Sequence, residues 1–481
     1  MADADKPLGR VARFIERVRR PSREHVEKLK ERVPYWFVAL VLFGFAVLQI
    51  ALNPFGFSDL TQRYTQDISN LLVTGPYLYP TTGRDQVTVA LVDEETLHMM
   101  QMPWPWTYGM HARALNALLA YKPKAVIVDF LFIDMRPDPS ISDLADAIRR
   151  YQRARIPIYF EGGSKLSYGE APVRPEIAAT GVPILSPDTE IYDGVVRQYP
   201  TSGACFGRRA AANGKCLSLA LQAYNDLYPE HPLEPMQGEM ELVWGTRTAP
   251  FNEKFSAQPC NADASFGMRI YRAFFDKQTA MGRCPYNAEV PMQAVMTDDG
   301  SDRDLAKLIP GHVVFYGGGL EGAQDKSFSP VNGLQPGVFV HAMALDNLIT
   351  FEGRPEQNVM TVAGITMSNN PAQVLAIIPI ILILAFMHMR RLRRRRTAAH
   401  REHSAVVEWF LDKGAENLWH WLAFFLALGV GLALARLAGL SVANWIQDVF
   451  ISVELAAMLL IGVPDSLWGY LHHVAGGVPR D

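Results

Sequence analysis

Val87–Val92 reads VTVALV, a β-branched apolar run that stops at Asp93, and Ala125–Phe130 reads AVIVDF. Short runs that are apolar at every position are strands buried on both faces. Between them, Tyr108–Tyr121 places Met110, Ala114, Leu115, Leu118 and Leu119 at helical spacing. Further along, Leu144–Tyr151 reads as a second helix closed by Arg149 and Arg150, and Ile156–Phe160 as a third strand. Much later, His312–Tyr316 (HVVFY) is another buried strand, followed by Gly317-Gly318-Gly319, and Gly337–Ile349 reads as a helix. Alternating strands and helices predict an α/β domain, a mostly parallel sheet with helices on both faces. Residues from about 200 to 300 are Pro-rich and irregular, and no element is predicted there.

The domain is framed by apolar stretches. Tyr35–Leu52 and Ala372–Met389 carry no acidic or basic residue except His388. Residues 418–440 are apolar apart from His420 and Arg436 near the ends, and 445–463 hold Asp448 and Glu454. A helix crosses a bilayer with about 17–25 apolar residues, so four spans are expected at 34–53, 372–389, 418–440 and 445–463. Residues 1–33 hold ten Lys/Arg against six Asp/Glu, and residues 390–396 run RRLRRRR. Basic flanks stay in the cytoplasm. The expected order is a basic cytoplasmic segment at 1–33, an external domain at 58–360, a basic cytoplasmic loop at 390–417 and a cytoplasmic tail at 464–481. Residues 1–20 lack the apolar core of a cleaved signal, so the first span reads as an uncleaved anchor. The net charge of -3 gives no reason to expect nucleic acid as the partner.

All four cysteines, Cys205, Cys216, Cys260 and Cys284, fall in the external segment. An even number in an oxidising compartment predicts two disulfides. Of three possible pairings, Cys205–Cys216 with Cys260–Cys284 closes the shortest loops. No Cys-x-x-Cys or His-x-x-x-His spacing accompanies them, and neither a metal nor a cofactor is expected.

The chemistry on offer is modest. Asp93 and Asp129 end two strands read as adjacent, where α/β sheets bind ligands, and two carboxylates there suit a cation. Both are equally suited to cap helices or order the turns. Trp104-Pro105-Trp106 is either an aromatic ligand wall or a rigid packing element. His111 and His341 are lone histidines on apolar helices and read as satisfied core residues. The three glycines lack the Gly-Lys-Ser/Thr of a phosphate loop and read as a tight strand exit. Arg197 follows an Asp193-Gly194 turn and is placed to pair with a carboxylate.

Several ordered blocks carry a family resemblance: Asp93-Glu94-Glu95; Trp104-Pro105-Trp106 with the helix from Tyr108; and Lys124–Phe132 around Asp129. Tyr192–Arg197 (YDGVVR), Gly311–Gly319 with Asp325, and Pro336–Leu348 follow. In this order, residues about 84–350 resemble the type-two CHASE domain. It is an extracytoplasmic sensory module associated with bacterial cyclases, kinases and diguanylate cyclases. The resemblance implies a strand-first α/β domain with an anchor helix before it and helices after it, in a bacterial cytoplasmic membrane. Asp93, Trp104, Trp106, Asp129, Arg197 and Asp325 are the ligand-binding candidates, and no catalytic residue is expected.

Family members commonly carry a cytoplasmic catalytic module after the last span. Here 390–417 is too short for one, and neither a kinase glycine loop nor a cyclase signature is found. The expectation is a sensor that acts through a partner, a signalling enzyme or complex subunit in or at the membrane, and that forms an oligomer. The alternative is a structural or assembly subunit of an envelope complex that reuses the fold for docking. Glu454 would lie mid-span, where an acid usually faces protein, with Arg436 and Asp448 paired near the external end.

Overall fold

The structure, a computed structural model, describes most of residues 65–353 and isolated positions within 40–63, 360–367, 378–386 and 426–433. Residues 163–172, 186–193, 205–214, 256–266, 272–283 and several shorter stretches lie outside the description. The chain divides into two units, Gln66–Ser368 and a second made of Met1–Thr65 with Asn369–Asp481.

Six strands of the first unit form one sheet: β1 (Val87–Val92), β2 (Ala125–Asp129), β3 (Ile158–Glu161), β4 (Ile184–Leu185), β5 (Ala288–Pro291) and β6 (Val313–Gly318). They lie in the order β4-β3-β2-β6-β1-β5, and every neighbouring pair is parallel. The helices are α1 (Glu94–Met100), α2 (Tyr108–Ala120), α3 (Ile141–Ala154), α4 (Leu219–Leu227), α5 (Met292–Thr297) and α6 (Val338–Thr350). A hairpin of β7 (Lys326–Ser329) and β8 (Gly333–Pro336) joins β6 to α6.

Because strand side chains alternate, the sheet divides its own residues between two cores. Val87, Val89, Leu91, Ala125, Ile127, Val313 and Phe315 pack with α4 and α6. Ala90, Val92, Val126, Val128, Val314 and Tyr316 pack with α2, α3 and α5. Each valine, leucine, isoleucine or phenylalanine among them, fully buried, stabilises the fold by about 1.5–3 kcal/mol. Polar residues set the helix ends: Thr107 Oγ1 accepts from the Met110 amide at the start of α2, and Ser218 Oγ from the Leu221 amide at the start of α4. α6 is buried along nearly its whole length, as a helix apolar on every side must be.

The α/β class and the parallel sheet are as expected, α4 and β5 fall in the 200–300 stretch where no element is predicted, and two further details differ. The glycines do not form a strand exit: Gly317 and Gly318 belong to β6, with Gly317 paired to Leu91 on one side and Asp129 on the other. A Cβ on Gly317 would lie 2.7 Å from Val338 Cβ, so glycine is what lets the first turn of α6 rest on the strand. The second helix runs from Ile141 to Ala154 instead of 144–151, since its polar end turns gave no apolar signal.

Among the described residues no helix is long and apolar enough to cross a membrane. The four expected spans, with Arg436, Asp448 and Glu454, lie almost wholly outside the described residues.

Candidate functional site

Asp93 and Asp129 both stand at carboxyl ends of the sheet, on strands that are not neighbours. β6 lies between β1 and β2, which corrects the adjacent placement. Asp93 caps α1: its Oδ1 accepts the Thr96 amide at 2.7 Å, and Glu94 and Glu95 follow in the first turn. The carboxylate nearest Asp129 comes instead from β3. Val128 pairs with Phe160, so Asp129 and Glu161, one residue further along each strand, stand side by side.

Asp129 and Glu161 are hydrogen-bonded to each other. Asp129 is 7% exposed, and its Oδ2 has no hydrogen-bond partner among the described residues. Burial pushes the Asp129 carboxyl up to about 7, the bond from Glu161 draws it down and the charge of Asp325 pushes it up. Glu161 is raised well above the ordinary glutamate range, by burial first and then by Asp129 and Asp325. The pair therefore shares a proton, because two carboxyls in contact cannot both ionise cheaply.

Two further elements close over the pair. α6 brings His341, whose Nε2 is 3.9 Å from Asp129 Oδ1 and whose Nδ1 meets the Tyr199 hydroxyl at 2.8 Å. Burial lowers His341 to about 4, so the ring is neutral and does not offset the acids. Asp325 stands at the exposed rim, its carboxylate packed on Gly337 at the start of α6, where a Cβ would lie 2.1 Å from its Oδ1. Partial desolvation raises Asp325 too. Among the described residues no group of three His, Cys, Asp or Glu is arranged to hold a metal ion.

A second acid on α6 shows the contrast. Asp346 is also buried and raised by that burial to about 7, yet its oxygens are filled. Oδ1 accepts from Tyr79 at 2.5 Å and Thr350 at 3.2 Å, and Oδ2 from Asn287 at 2.8 Å. It is a structural acid.

The other face of the sheet holds the tryptophans. Trp106 is 1% exposed and Trp104 is 39% exposed, and both set ring edges against His111. Phe130, Phe132 and Tyr316 complete the cluster, and His111 Nδ1 meets the Tyr316 hydroxyl at 2.9 Å. Burial foremost, then Arg136, lowers His111 to about 3. Trp106 thus packs, while beside it an open groove of about 570 Å³ runs between the 102–107 segment, α2 and α3. Arg197 lies elsewhere, buried against Asp67: Nε to Oδ1 is 2.8 Å and Nη2 to Oδ2 is 3.1 Å.

The six ligand candidates are thus not one site. Asp129 and Asp325 come together on one face with Glu161, His341 and Tyr199; Trp104 and Trp106 lie on the other; Asp93 caps a helix and Arg197 is ion-paired. Glu161 had a signal that was missed: like the two strands before it, β3 ends on an acid, and the run was ended at Phe160. Cys284 is disulfide-bonded. Cys205, Cys260 and Asp193 lie outside the described residues, as does the side chain of Cys216, so the expected pairing falls there too.

The CHASE2 domain family matches residues 36–386. This chain belongs to the CHASE2 domain family. Such domains are extracytoplasmic sensory modules rather than catalytic ones. No curated protein and no solved structure matches the chain significantly.

Proposed function

We propose that this chain is a multi-pass protein of a bacterial cytoplasmic membrane whose CHASE2 domain faces outward, senses its surroundings and acts through a partner protein. One observation carries the reading: the family match runs from residue 36, inside the first apolar stretch, to residue 386, inside the second. Domain and flanking stretches are thus matched together. The buried acids at the carboxyl ends of β2 and β3 are the sensing centre in this reading, placed where open α/β sheets take ligands. α6 covers them and is followed in sequence by the second apolar stretch, Ala372–Met389.

Topology reporters test the anchor. Fusions at Ala399 and after Asp481 are expected to report cytoplasm and one at Pro250 the outside; a cytoplasmic signal at Pro250 overturns the reading. For the partner, Glu454 supplies the handle. An acid at mid-span costs about 2.5–3.5 kcal/mol on insertion, which a polar contact to another chain offsets. Glu454→Leu is expected to leave the protein inserted and to weaken co-purification of a membrane partner or a second copy. Unchanged complex size in native electrophoresis would argue against a partner at that position.

A further inference from the structure

We propose that buried Asp129 and half-buried Glu161 form a proton-binding site through which the domain responds to the pH outside the membrane: the proton between them holds α6 closed over the carboxyl ends of β2 and β3, and its loss loosens that helix. The inference rests on the sensory reading and names the signal as the proton.

Three observations lead here. The first is the contact itself. Two acids on neighbouring parallel strands are hydrogen-bonded, and that bond exists only while one of them holds a proton. The second is that no amide, hydroxyl or cationic donor among the described residues is bonded to Asp129 Oδ2, in a side chain more than nine-tenths buried. A structural acid in this fold is treated differently, since Asp346 has both oxygens filled by three donors. The third is the absence of compensation. The groups facing the pair are Asp325 from the segment before β7, His341 from α6 and Tyr199 from residues 198–200, and none carries positive charge. Lys326, beside Asp325, donates its Nζ to the Glu321 carbonyl, and Arg197 is held by Asp67. Among the described residues, no lysine or arginine offsets the charge of either acid. No metal-binding arrangement is present there either. A site with acids, no cation and no metal geometry takes protons.

The response follows from placement. When the shared proton passes to bulk water, two charged carboxylates are left in contact in a largely desolvated space. They separate or admit water. Above them sits the first turn of α6, with Val338 against Gly317 and His341 against Asp129, so opening acts on that helix first. Burial and Asp325 hold the pair protonated into the neutral range, so the change falls at pH values an envelope meets.

The test uses the full chain in lipid nanodiscs at about pH 5.5 and about pH 8.5, spanning the transition. Infrared difference spectra read the carbonyl stretch of buried protonated carboxyls, and hydrogen exchange reads the amides of α6. Wild type is expected to lose protonated-carboxyl intensity on going to the higher pH, part of it from Glu289 and Asp346, and Glu161→Gln, which keeps size and hydrogen bonding, is expected to lack the band that belongs to the pair. After correction for chemical exchange, α6 amides are expected to exchange faster by about tenfold per pH unit above the transition, and this response is expected to vanish in Glu161→Gln. A band unaffected by Glu161→Gln, or equal α6 protection at both pH values in wild type, overturns the proposal. Should the variant fail to fold, the wild-type exchange comparison decides it alone. Failure of the sensory reading looks different: the band and α6 respond to pH while the Pro250 reporter signals cytoplasm.

Discussion

Two histidines, one on each face of the sheet, make a natural experiment in burial. His111 on α2 and His341 on α6 are both buried, both meet a tyrosine hydroxyl through Nδ1, and both are held neutral by desolvation. Their neighbours differ. His111 lies among the rings of Trp104, Trp106, Phe130, Phe132 and Tyr316, where Arg136 and Asp138 act on it with opposite sign. His341 lies over Asp129, beside Glu161 and Asp325. One strand supplies both surroundings, because Val128 faces the core under α2 and α3 while Ile127 faces the core under α4 and α6, with Asp129 two residues on. A histidine in an apolar cluster is packing; the same residue over an acid pair belongs to a centre that can change charge. The face that carries the acids is where the domain can respond, and the aromatic face is the anvil it works against.

Mutations can break or sharpen that contrast. The largest effect is expected at Arg197, which compensates Asp67 on the acidic face. Arg197→Ala removes the bidentate ion-pair partner of a buried carboxylate and is expected to cost about 3–5 kcal/mol in denaturant unfolding. A loss well under 1 kcal/mol would mean that this face tolerates bare charge and that compensation is no guide to function.

Gly317 comes next. Gly317→Ala puts a methyl within 2.7 Å of Val338 and is expected to cost about 1–3 kcal/mol by lifting α6 from β6. Hydrogen exchange in α6 should rise with it; protection unchanged would show that α6 does not rest on the strand. The smallest effect belongs to the aromatic face. His111→Phe keeps the ring and strands the Tyr316 hydroxyl, for an expected cost of about 1 kcal/mol. Above about pH 6.5 the variant should keep the wild-type dependence on pH, since a neutral histidine adds nothing there. A changed slope in that range would place the titrating centre on the wrong face.

Much of this architecture was open to reading. β1, β2, β3 and β6 announce themselves as runs apolar at every position, because strands covered on both faces need no polar side. The order of the strands was not legible. β6 inserts between β1 and β2 from some 180 residues away in sequence, and no local pattern of Val87–Val92 or Ala125–Phe130 records that neighbour. This is why Asp93 was set beside Asp129 when Glu161 stands there. His341 was read as a core histidine from its apolar helix, and its bond to Tyr199 agrees. That Tyr199 would supply the bond was hidden in a stretch without periodicity. Arg197 was placed to pair with a carboxylate; its partner, Asp67, precedes the domain's first strand, and no spacing connects the two.

The central claim is that the acidic face holds protons in the folded state that the unfolded chain releases. Asp129, raised from 3.8 to about 7, binds a proton when folded throughout the range between those values. Its contribution to stability is therefore complete below the unfolded value and lost as pH rises through about 7. Glu161 and Asp325, both raised, act in the same direction. Glu289 and Asp346, each pushed to about 7 by burial, do so as well. His111 and His341 act oppositely, but only below their ordinary value of 6.5, where the unfolded chain takes up protons that the folded rings refuse. The most direct measurement is denaturant unfolding of the CHASE2 protein between about pH 6.5 and 8.5, where the carboxyls act and the histidines are largely silent. The account predicts that stability falls by a few kcal/mol across that range in wild type, and by distinctly less in Asp129→Asn. Stability that is level or rises with pH in wild type, or a slope that Asp129→Asn leaves untouched, would contradict it.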